Sequence, residues 1–585
     1  MDPPSPPHAR HPLGPRARVL LTSVFGPFAR DDQYGSRALN PMELYHNQVT
    51  RVQGAFSLRM FHRSWGLMFI QANIEAPCTV LDFPTRERFE QELREVPYDV
   101  VGIGSILPNV DKVKAMCRLV RRHRPEATIV VGGHVANKPG LREMVDADHV
   151  VRGDGVGWMR CFLGEPADRP IRHPLILSGF DSRTMGVSFG EGKGETAATV
   201  IPSVGCPMGC NFCSTSAMFG GKGRFLDFYG DGDDLFRVMA RIERALGVRS
   251  FFVMDENFLL HRKRALRLLE LMRDNDRAWS LYVFSSANAL RRYSDEELLG
   301  LGLSWVWMGL EGKRSAFRKL EGADTRALVR RLQGLGIRVL GSSIIGLPEH
   351  AAENIDGVIA HAVAHDTEFH QFMLYTPIPG TPLHEAHRAC GTLLDEEECP
   401  EADAHGQFRF NFRHPLIRRG EETEYLLRAF RRDFEVNGPS IVRIARTMLR
   451  GWLAHRHHPD PRVRNRLAWE NRDLPTLYAG ALWAAQRWSR RSAALSSRIR
   501  ATRRLLVRAF GLRARLAGPV IGHALLASLW LEERRLRRGV TYEPRTFYEA
   551  NPAAWPEARA RGATPCRWVD ADAGTEAAPA SLAAS

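Results

Sequence analysis

The strongest constraint on the fold is a strand–helix alternation that repeats through six units between residues 196 and 376. The runs "AATVIPSV", "SFFVMD", "SLYVFSS", "SWVWMGL", "RVLGSSIIGLP" and "EFHQFMLYTP" are apolar and rich in β-branched or aromatic residues. Between them lie segments with helical spacing, such as "DDLFRVMARIERAL" and "KRALRLLELMRD". Such alternation builds a parallel sheet, and six units in a row predict a barrel or an open partial barrel. Barrel chemistry sits at the carboxyl ends of the strands. A shorter alternation precedes it from Arg18 to about Gly164, with strands in "RVLLTSVFG", "TVLDFP", "DVVGIGS", "ATIVVGGHV" and "DHVVRGDG". It predicts a doubly wound, flavodoxin-like α/β domain, whose ligands also bind at strand carboxyl ends. Gly104, Gly132, Gly133, Gly153 and Gly155 fall at those ends.

A chain of 585 residues exceeds what one core supports, so several domains are expected. The proline-rich start, 1–17, lacks a secretory apolar run and reads as a disordered leader. The doubly wound domain is expected over 18–165, the barrel over 195–415 and an α-helical, arginine-rich region over 418–550. A low-complexity tail, 556–585, is expected to be disordered. The basic character belongs to one region. Residues 441–540 hold 22 arginines, no lysine and five acidic residues, a formal +17, against +15 for the whole chain.

That region leaves three readings open. Leu495, Ile499, Leu506, Ala509 and Phe510 recur at helical spacing, with Arg500, Arg504 and Arg508 mostly on the opposite side. The helix is then a cap with a solvated face, a membrane-surface or lipid-substrate element, or a nucleic-acid contact. The apolar stretch 516–531 is shorter than a bilayer span and contains Pro519 and His523, so a surface position is expected over a crossing. No nucleic-acid-binding module is recognisable, and no nucleic-acid partner is expected.

Three of the nine cysteines, Cys206, Cys210 and Cys213, crowd into the loop "CPMGCNFC" directly after the first strand of the six. The other six are scattered without a disulfide pattern, which points to a reducing cytoplasm. Three thiolates fit a 4Fe–4S cluster with one iron left open. A structural zinc site, which normally takes four ligands, and simple packing are the alternatives on spacing alone.

The loop Cys206-Pro207-Met208-Gly209-Cys210-Asn211-Phe212-Cys213 resembles the signature of the radical S-adenosylmethionine superfamily, over about residues 196–415. The resemblance implies a 4Fe–4S cluster on Cys206, Cys210 and Cys213 whose open iron chelates S-adenosylmethionine. An external one-electron reductant then yields a 5′-deoxyadenosyl radical that abstracts hydrogen from substrate. It also implies S-adenosylmethionine contacts at Phe212, at Glu311 in "WMGLEG", and at Ile344, Gly346 and Pro348 in "GSSIIGLPEH". "TPIPGTPL" (376–383) looks like the sixth-strand end of the subgroup with a cobalamin-binding domain. The order of the two domains resembles that branch, which implies cobalamin near Gly104, Ser105, Gly132, Gly133, His134, Gly153, Asp154 and Gly155. The D-x-H-x-x-G sequence that carries an axial histidine in many cobalamin domains is missing. A domain that braces the barrel without cofactor is the other reading.

The function implied is cobalamin-dependent methylation of an unactivated carbon in a lipid or natural-product substrate. Non-methylating rearrangement, cyclisation or carbon–carbon coupling, and radical modification of RNA, are the alternatives. The protein is expected in the cytoplasm, in peripheral contact with a membrane through its C-terminal region.

Overall fold

The computed structural model describes residues 9–28, 34, 43–189, 197–311, 320 and 323–571. The first residues of the expected leader (1–8), part of the expected barrel start (195–196) and the end of the expected tail (572–585) lie outside them.

The first sheet contains five parallel strands: β1 (Val19–Thr22), β2 (Cys78–Asp82), β3 (Val100–Gly104), β4 (Thr128–Gly132) and β5 (His149–Val150). Their order, β2-β1-β3-β4-β5, is that of a flavodoxin-like domain. The strands are apolar on both faces because helices cover both. Phe89, Val113, Met116 and Val120 pack on one side, and Met159 and Phe162 on the other.

The second sheet contains six parallel strands in sequence order: β7 (Ala198–Val200), β8 (Ser250–Val253), β9 (Ser280–Phe284), β10 (Leu303–Gly309), β11 (Arg338–Ile345) and β12 (Phe369–Leu374). A short β6 (Ile176–Leu177) pairs antiparallel with β7 at one edge. This is the expected six-unit open barrel. Its helix-facing residues, among them Leu281, Val283, Val306 and Val339, interlock with helices Gly232–Leu246, Arg262–Asp274 and Thr325–Gly334 in the largest core. Local signals agree with the ends of these helices. Asp231 caps Gly232–Leu246, and Gly247, in the left-handed conformation, stops it.

From Glu421 the chain is helical up to Arg537. The expected helical region ran to 550, but Phe547–Ala550 is a strand, β13, that pairs antiparallel with β2 in the first sheet. The expected disordered tail differs as well. Trp555–Arg559 is helical, Thr564–Pro565 forms β14 beside β13, and Trp568–Asp570 pairs with Arg172–Pro174. Asn551 shows why the return is specific: its side chain accepts from the Cys78 amide and donates to the Ala76 carbonyl. These backbone groups at the edge strand would otherwise be buried unpaired. Near the other terminus, residues 9–17 are placed on the first domain, with His11 edge-on to Phe162.

The arginine-rich region is only partly a solvated face. Arg443 is fully buried against Asp433, and Arg466 pairs with Glu470 in the interior. The exposed arginines, including Arg500, Arg504 and Arg508, sit on the helical segment Ala493–Arg537. Leu495, Ile499 and Leu506 are buried on its other side, as the periodicity predicts.

Candidate functional site

The cysteine loop follows β7 and closes into the short helix Ser214–Met218. Two glycines make the loop possible. Gly205 and Gly209 have φ of +92° and +65°, and a Cβ on Gly209 would sit 2.6 Å from Lys222 Cα. The Cys213 amide donates to the Cys210 carbonyl (3.1 Å), and Ser216 Oγ donates to the Cys206 carbonyl (3.1 Å). Cys206, Cys210 and Cys213 are all half-buried and form no disulfide. Burial pushes the Cys206 thiol up to about 12, and the charges of Cys213 and Cys210 push the same way. Three thiols that raise one another's charging cost form a site suited to a cationic body. Yet among the described residues no three His, Cys, Asp or Glu side chains converge on a point for one metal ion. The donor set fits a cluster that spreads its ligands over several irons.

A carboxylate that the sequence reading missed lies beside this loop. Glu256 follows β8, accepts from the Gly205 amide, and has one buried oxygen without a hydrogen-bond partner. Burial raises its pKa to about 8. The signal was the acidic stretch "MDEN" at a strand carboxyl end. Its neighbour Asp255 is tied to Ser203 and Arg264 and serves the scaffold.

The other expected barrel residues lie at strand ends around the same opening. Phe212 meets Tyr375 edge-on, with ring centroids 6.4 Å apart. Glu311, just past β10, is buried in a left-handed conformation (φ +46°), and its amide donates to the Ser342 carbonyl. Ile344 is the penultimate residue of β11, and Gly346 follows the strand with φ +85°. A Cβ there would enter the Phe410 ring at 2.2 Å, so glycine is required by packing. Pro348 is exposed on the next turn.

The strand ends of the first sheet dock against this opening. Asn137 Nδ2 donates to the Ser214 carbonyl (3.2 Å), and Arg152 donates to the Ala217 carbonyl (2.8 Å), both on the helix that leaves the cysteine loop. Lys138 pairs with Glu401. In "TPIPGTPL", Gly380 (φ +83°) lets the turn after β12 lie against Asn137, whose carbonyl would be 2.4 Å from a Cβ. The Leu383 amide on the same turn donates to Asn211 of the cysteine loop (3.0 Å).

Within the first domain the expected residues fall into two groups. Gly104, Ser105, Gly132, Gly133 and His134 are laced together: Ser105 N–H donates to Gly132, and Val135 N–H donates to Ser105. Gly153, Asp154 and Gly155 form the turn after β5. There the Asp154 carboxylate is used to cap the amides of Val156 and Gly157 (both 3.0 Å). Several of the glycines answer to the protein's own packing, since Cβ atoms at Gly104 and Gly155 would meet Leu67 and Ile70. His134 is different. Burial holds its pKa below the usual value, so the ring is neutral. A neutral imidazole at the seam between two strand-end loops fits a cofactor contact.

The barrel interior carries a second feature that the motifs did not disclose. Along β9 and β10, Tyr282, Phe284, Trp305 and Trp307 alternate with the helix-facing core residues and face inward. Their rings meet across strands: Phe252–Tyr282 at 4.8 Å, Phe284–Trp307 at 4.8 Å and Trp305–Phe369 at 5.2 Å. The runs "YVF" and "WVW" held this signal, but only the sheet register brings them together.

Two family profiles match the chain over the two sheets. The B12 binding domain profile matches residues 59–160, and the Radical SAM superfamily profile matches residues 200–362. An uncharacterised methyltransferase of Pyrococcus horikoshii is 26% identical over 340 residues, covering 51% of this chain and 71% of its own. The bacteriochlorophyllide d C-8(2)-methyltransferase of Chlorobaculum tepidum is 22% identical, covering 58% of this chain and 78% of its own. Among solved structures, the radical S-adenosylmethionine methyltransferase TsrM of Kitasatospora setae, with cobalamin and a 4Fe–4S cluster bound, superimposes with a TM-score of 0.47 at 15% identity. It covers 78% of this chain and 99% of TsrM.

Proposed function

Because the chain belongs to the cobalamin-binding branch of the radical S-adenosylmethionine superfamily, we propose that it methylates an unactivated carbon of a small-molecule or lipid substrate. One observation carries the reading: the three-cysteine loop of the barrel and the strand-end loops of the flavodoxin-like sheet are built against each other. When bound, the cluster, S-adenosylmethionine and cobalamin supply a hydrogen-abstracting carbon radical and a transferable methyl group.

The chain's own residues bind, orient and shield. Cys206, Cys210 and Cys213 would hold the cluster, with Gly205 and Gly209 shaping the loop around it. Glu311, Ile344, Gly346 and Pro348, with Phe212 of the cysteine loop, would frame S-adenosylmethionine at the carboxyl ends of β10 and β11. Ser105, Gly132, Gly133 and His134 would meet cobalamin with backbone groups and one neutral ring. Asp154 would act at one remove, fixing the Gly153–Gly155 turn through its helix cap. The inward aromatic rings would keep water from a reactive centre. An external one-electron reductant is required.

We also place the enzyme in the cytoplasm at a membrane surface. Cysteines in no disulfide and a half-buried cluster loop call for reducing surroundings. Ala493–Arg537 is two helices joined at a kink at Gly511 (φ +59°), and it contains a stretch apolar enough to cross a bilayer by composition, but the Gly518, Gly522, Leu525 and Leu529 face of the second helix packs on the protein. A Cβ on Gly522 would meet the Trp483 ring at 2.5 Å. Leu512, Leu516, Val520 and Leu531 stay exposed on the outer side, flanked by arginines. A helix fastened along one face and apolar along the other suits lying in a lipid interface.

The test is anaerobic turnover of reconstituted full-length protein with S-adenosylmethionine and a strong reductant, with and without methylcobalamin. We expect 5′-deoxyadenosine, S-adenosylhomocysteine and protein-bound corrin absorbance together. Deoxyadenosine without corrin would overturn methylation in favour of rearrangement or coupling.

A further inference from the structure

Where this arginine-rich chain withdraws a guanidinium from water, it surrounds it with acceptors. Arg443 meets Asp433 and the carbonyls of Gly438 and Thr367, and Arg264 meets Asp255 and Asp227. Arg160 has no carboxylate but donates to four carbonyls and to the Asn73 side-chain oxygen. Such provision is general, because a charge taken out of water without partners is costly.

Arg51 departs from this pattern. It is half-buried, and among the described residues its one hydrogen bond runs from Nη1 to the Gln407 carbonyl (2.6 Å). Most of its N–H groups are left without a protein acceptor. Burial pulls its pKa down to about 10, and no carboxylate offsets the effect.

The backbone around Arg51 is held firmly. It leaves a π-helical turn, Tyr45–Val49, and both flanks are fastened. Thr50 Oγ1 donates to the Tyr45 carbonyl (2.7 Å) and accepts from the Leu58 amide (3.1 Å). Gln53 exchanges two hydrogen bonds with Ser440 (2.9 and 3.0 Å). Val52 between them has φ +61°, a strained conformation for a β-branched residue.

The barrel supplies the other side. Gln48 accepts from Gln371 Nε2 (3.1 Å), and Gln371 lies on the same face of β12 as Phe369. The segment that carries the Gln407 carbonyl is tied to the end of β12: the Leu374 amide donates to Gly406 (2.8 Å), and Gln407 Nε2 donates to Phe372 (2.7 Å). Arg51 therefore stands at the carboxyl end of the last barrel strand, where the first domain closes on the barrel. Nothing near it supplies a counter-charge. Burial and the charges of Arg59 and Arg51 hold His46 neutral, and Arg59 is itself answered by Glu43 (3.3 Å).

A rigidly mounted, half-buried guanidinium with unused N–H groups matches the paired oxygens of a carboxylate or phosphate. We propose that Arg51 anchors an anionic group of the substrate, a carboxylate or a phosphate, through parallel N–H···O bonds. S-adenosylmethionine and cobalamin also carry such groups. Their expected contacts lie at the ends of β10 and β11 and of β3 to β5, whereas Arg51 stands against β12. The proposal rests on the radical reading above for the word substrate, but the anion site itself does not depend on turnover.

The test resolves individual arginines. Full-length protein, reconstituted with cluster, cobalamin and S-adenosylmethionine, is treated with phenylglyoxal in phosphate or in chloride at equal ionic strength. Guanidinium adducts are then mapped by peptide mass spectrometry. We expect Arg51 to react in chloride, and about tenfold more slowly in phosphate at about ten times its dissociation constant. Exposed Arg500 should react alike in both. Arg51→Gln retains a donor for the Gln407 carbonyl; it should melt no lower than the parent in chloride and lose the stabilisation that phosphate gives the parent. A clear fall of its melting temperature in chloride would make Arg51 a structural prop and overturn the proposal. So would an Arg51 that phenylglyoxal does not reach or that phosphate does not protect. Protection that disappears when S-adenosylmethionine or cobalamin is bound would assign the anion to that cofactor and overturn the substrate assignment. Deoxyadenosine is measured in the same preparation. Its absence with protection intact sinks the radical reading alone, and its presence without protection sinks the anion site alone.

Discussion

The two parallel sheets solve the same problem with different materials. In the first, the ends of β3, β4 and β5 offer mainly backbone: Gly104, Ser105, Gly132, Gly133 and the capped turn at Asp154. In the second, the end of β7 offers three thiols and the interior offers six aromatic rings. The difference teaches that a site made of backbone is specified by what must be absent, a Cβ, while a site made of side chains is specified by what must be present. Substitutions should therefore fail differently in the two sheets.

The largest effect should come from the thiols. Cys206→Ala, Cys210→Ala or Cys213→Ala removes a ligand from a loop whose backbone is held by Gly205, Gly209 and the bond from Ser216 Oγ to the Cys206 carbonyl, none of which needs the sulfur. Cys213 Sγ has a further role, accepting from the Ser216 amide (3.5 Å) as a helix cap. Deoxyadenosine should fall to background while the melting temperature stays close to that of the parent. Full cleavage by any of the three would reject the assignment of that cysteine.

The backbone site should break through geometry. A Cβ on Gly133 would lie 2.6 Å from the Ser105 carbonyl oxygen at a φ of +81°. Gly133→Ala then costs about 2–3 kcal/mol in strain and crowding. Gly380→Ala would press the turn after β12 off Asn137. Both variants should lose bound corrin and methylated product before they lose deoxyadenosine. Loss of deoxyadenosine first would mean that the first sheet supports the cluster loop itself.

These two kinds of site were unequally legible. The cysteines were readable because three ligands lie within eight residues and their chemistry needs no partner elsewhere. The glycines were readable as positions at strand ends, but their roles were not. Whether Gly155 faces a cofactor or Ile70 depends on a helix whose position no local pattern reveals. The aromatic wall draws on β8, β9, β10 and β12, strands that only the folded register makes neighbours. Strand β13 was missed for a related reason, since four residues pair with β2 some 465 positions earlier in the chain. Local propensity carries little information about such non-local pairing.

The C-terminal helices serve both sheets, and their outer face offers a third contrast, charge against apolar area. Arg500, Arg504 and Arg508 together replaced by Gln should weaken binding to anionic vesicles by about 3 kcal/mol at low salt, roughly one per cation near the surface. Leu512→Ser with Leu516→Ser should weaken binding to neutral and anionic vesicles alike. Unchanged sedimentation of the arginine variant with anionic vesicles would reject the surface helix.

The smallest effect is a slope in pH, and it probes the joint between the sheets. His62 follows the Arg59–Phe61 strand of the first domain and stacks on Phe252 of the barrel; burial lowers its pKa to about 4. Its pKa in the unfolded chain is near 6.5, so below that value the unfolded state takes up the proton first. Stability contributed by the neutral ring is therefore complete above about 6.5, declines as pH falls, and stops declining below about 4. Between those limits the slope is on the order of 1 kcal/mol per pH unit for one such group. His62→Phe keeps a ring on Phe252 and removes the titration, so its melting temperature should fall less steeply with acidification. His173, also lowered to about 4, should keep contributing in that variant because its Nε2 accepts from the Ile201 amide. Identical slopes for parent and variant would mean that His62 is already protonated, or already solvated, in the folded joint. The stacked contact would then not be what seals the first domain against the barrel.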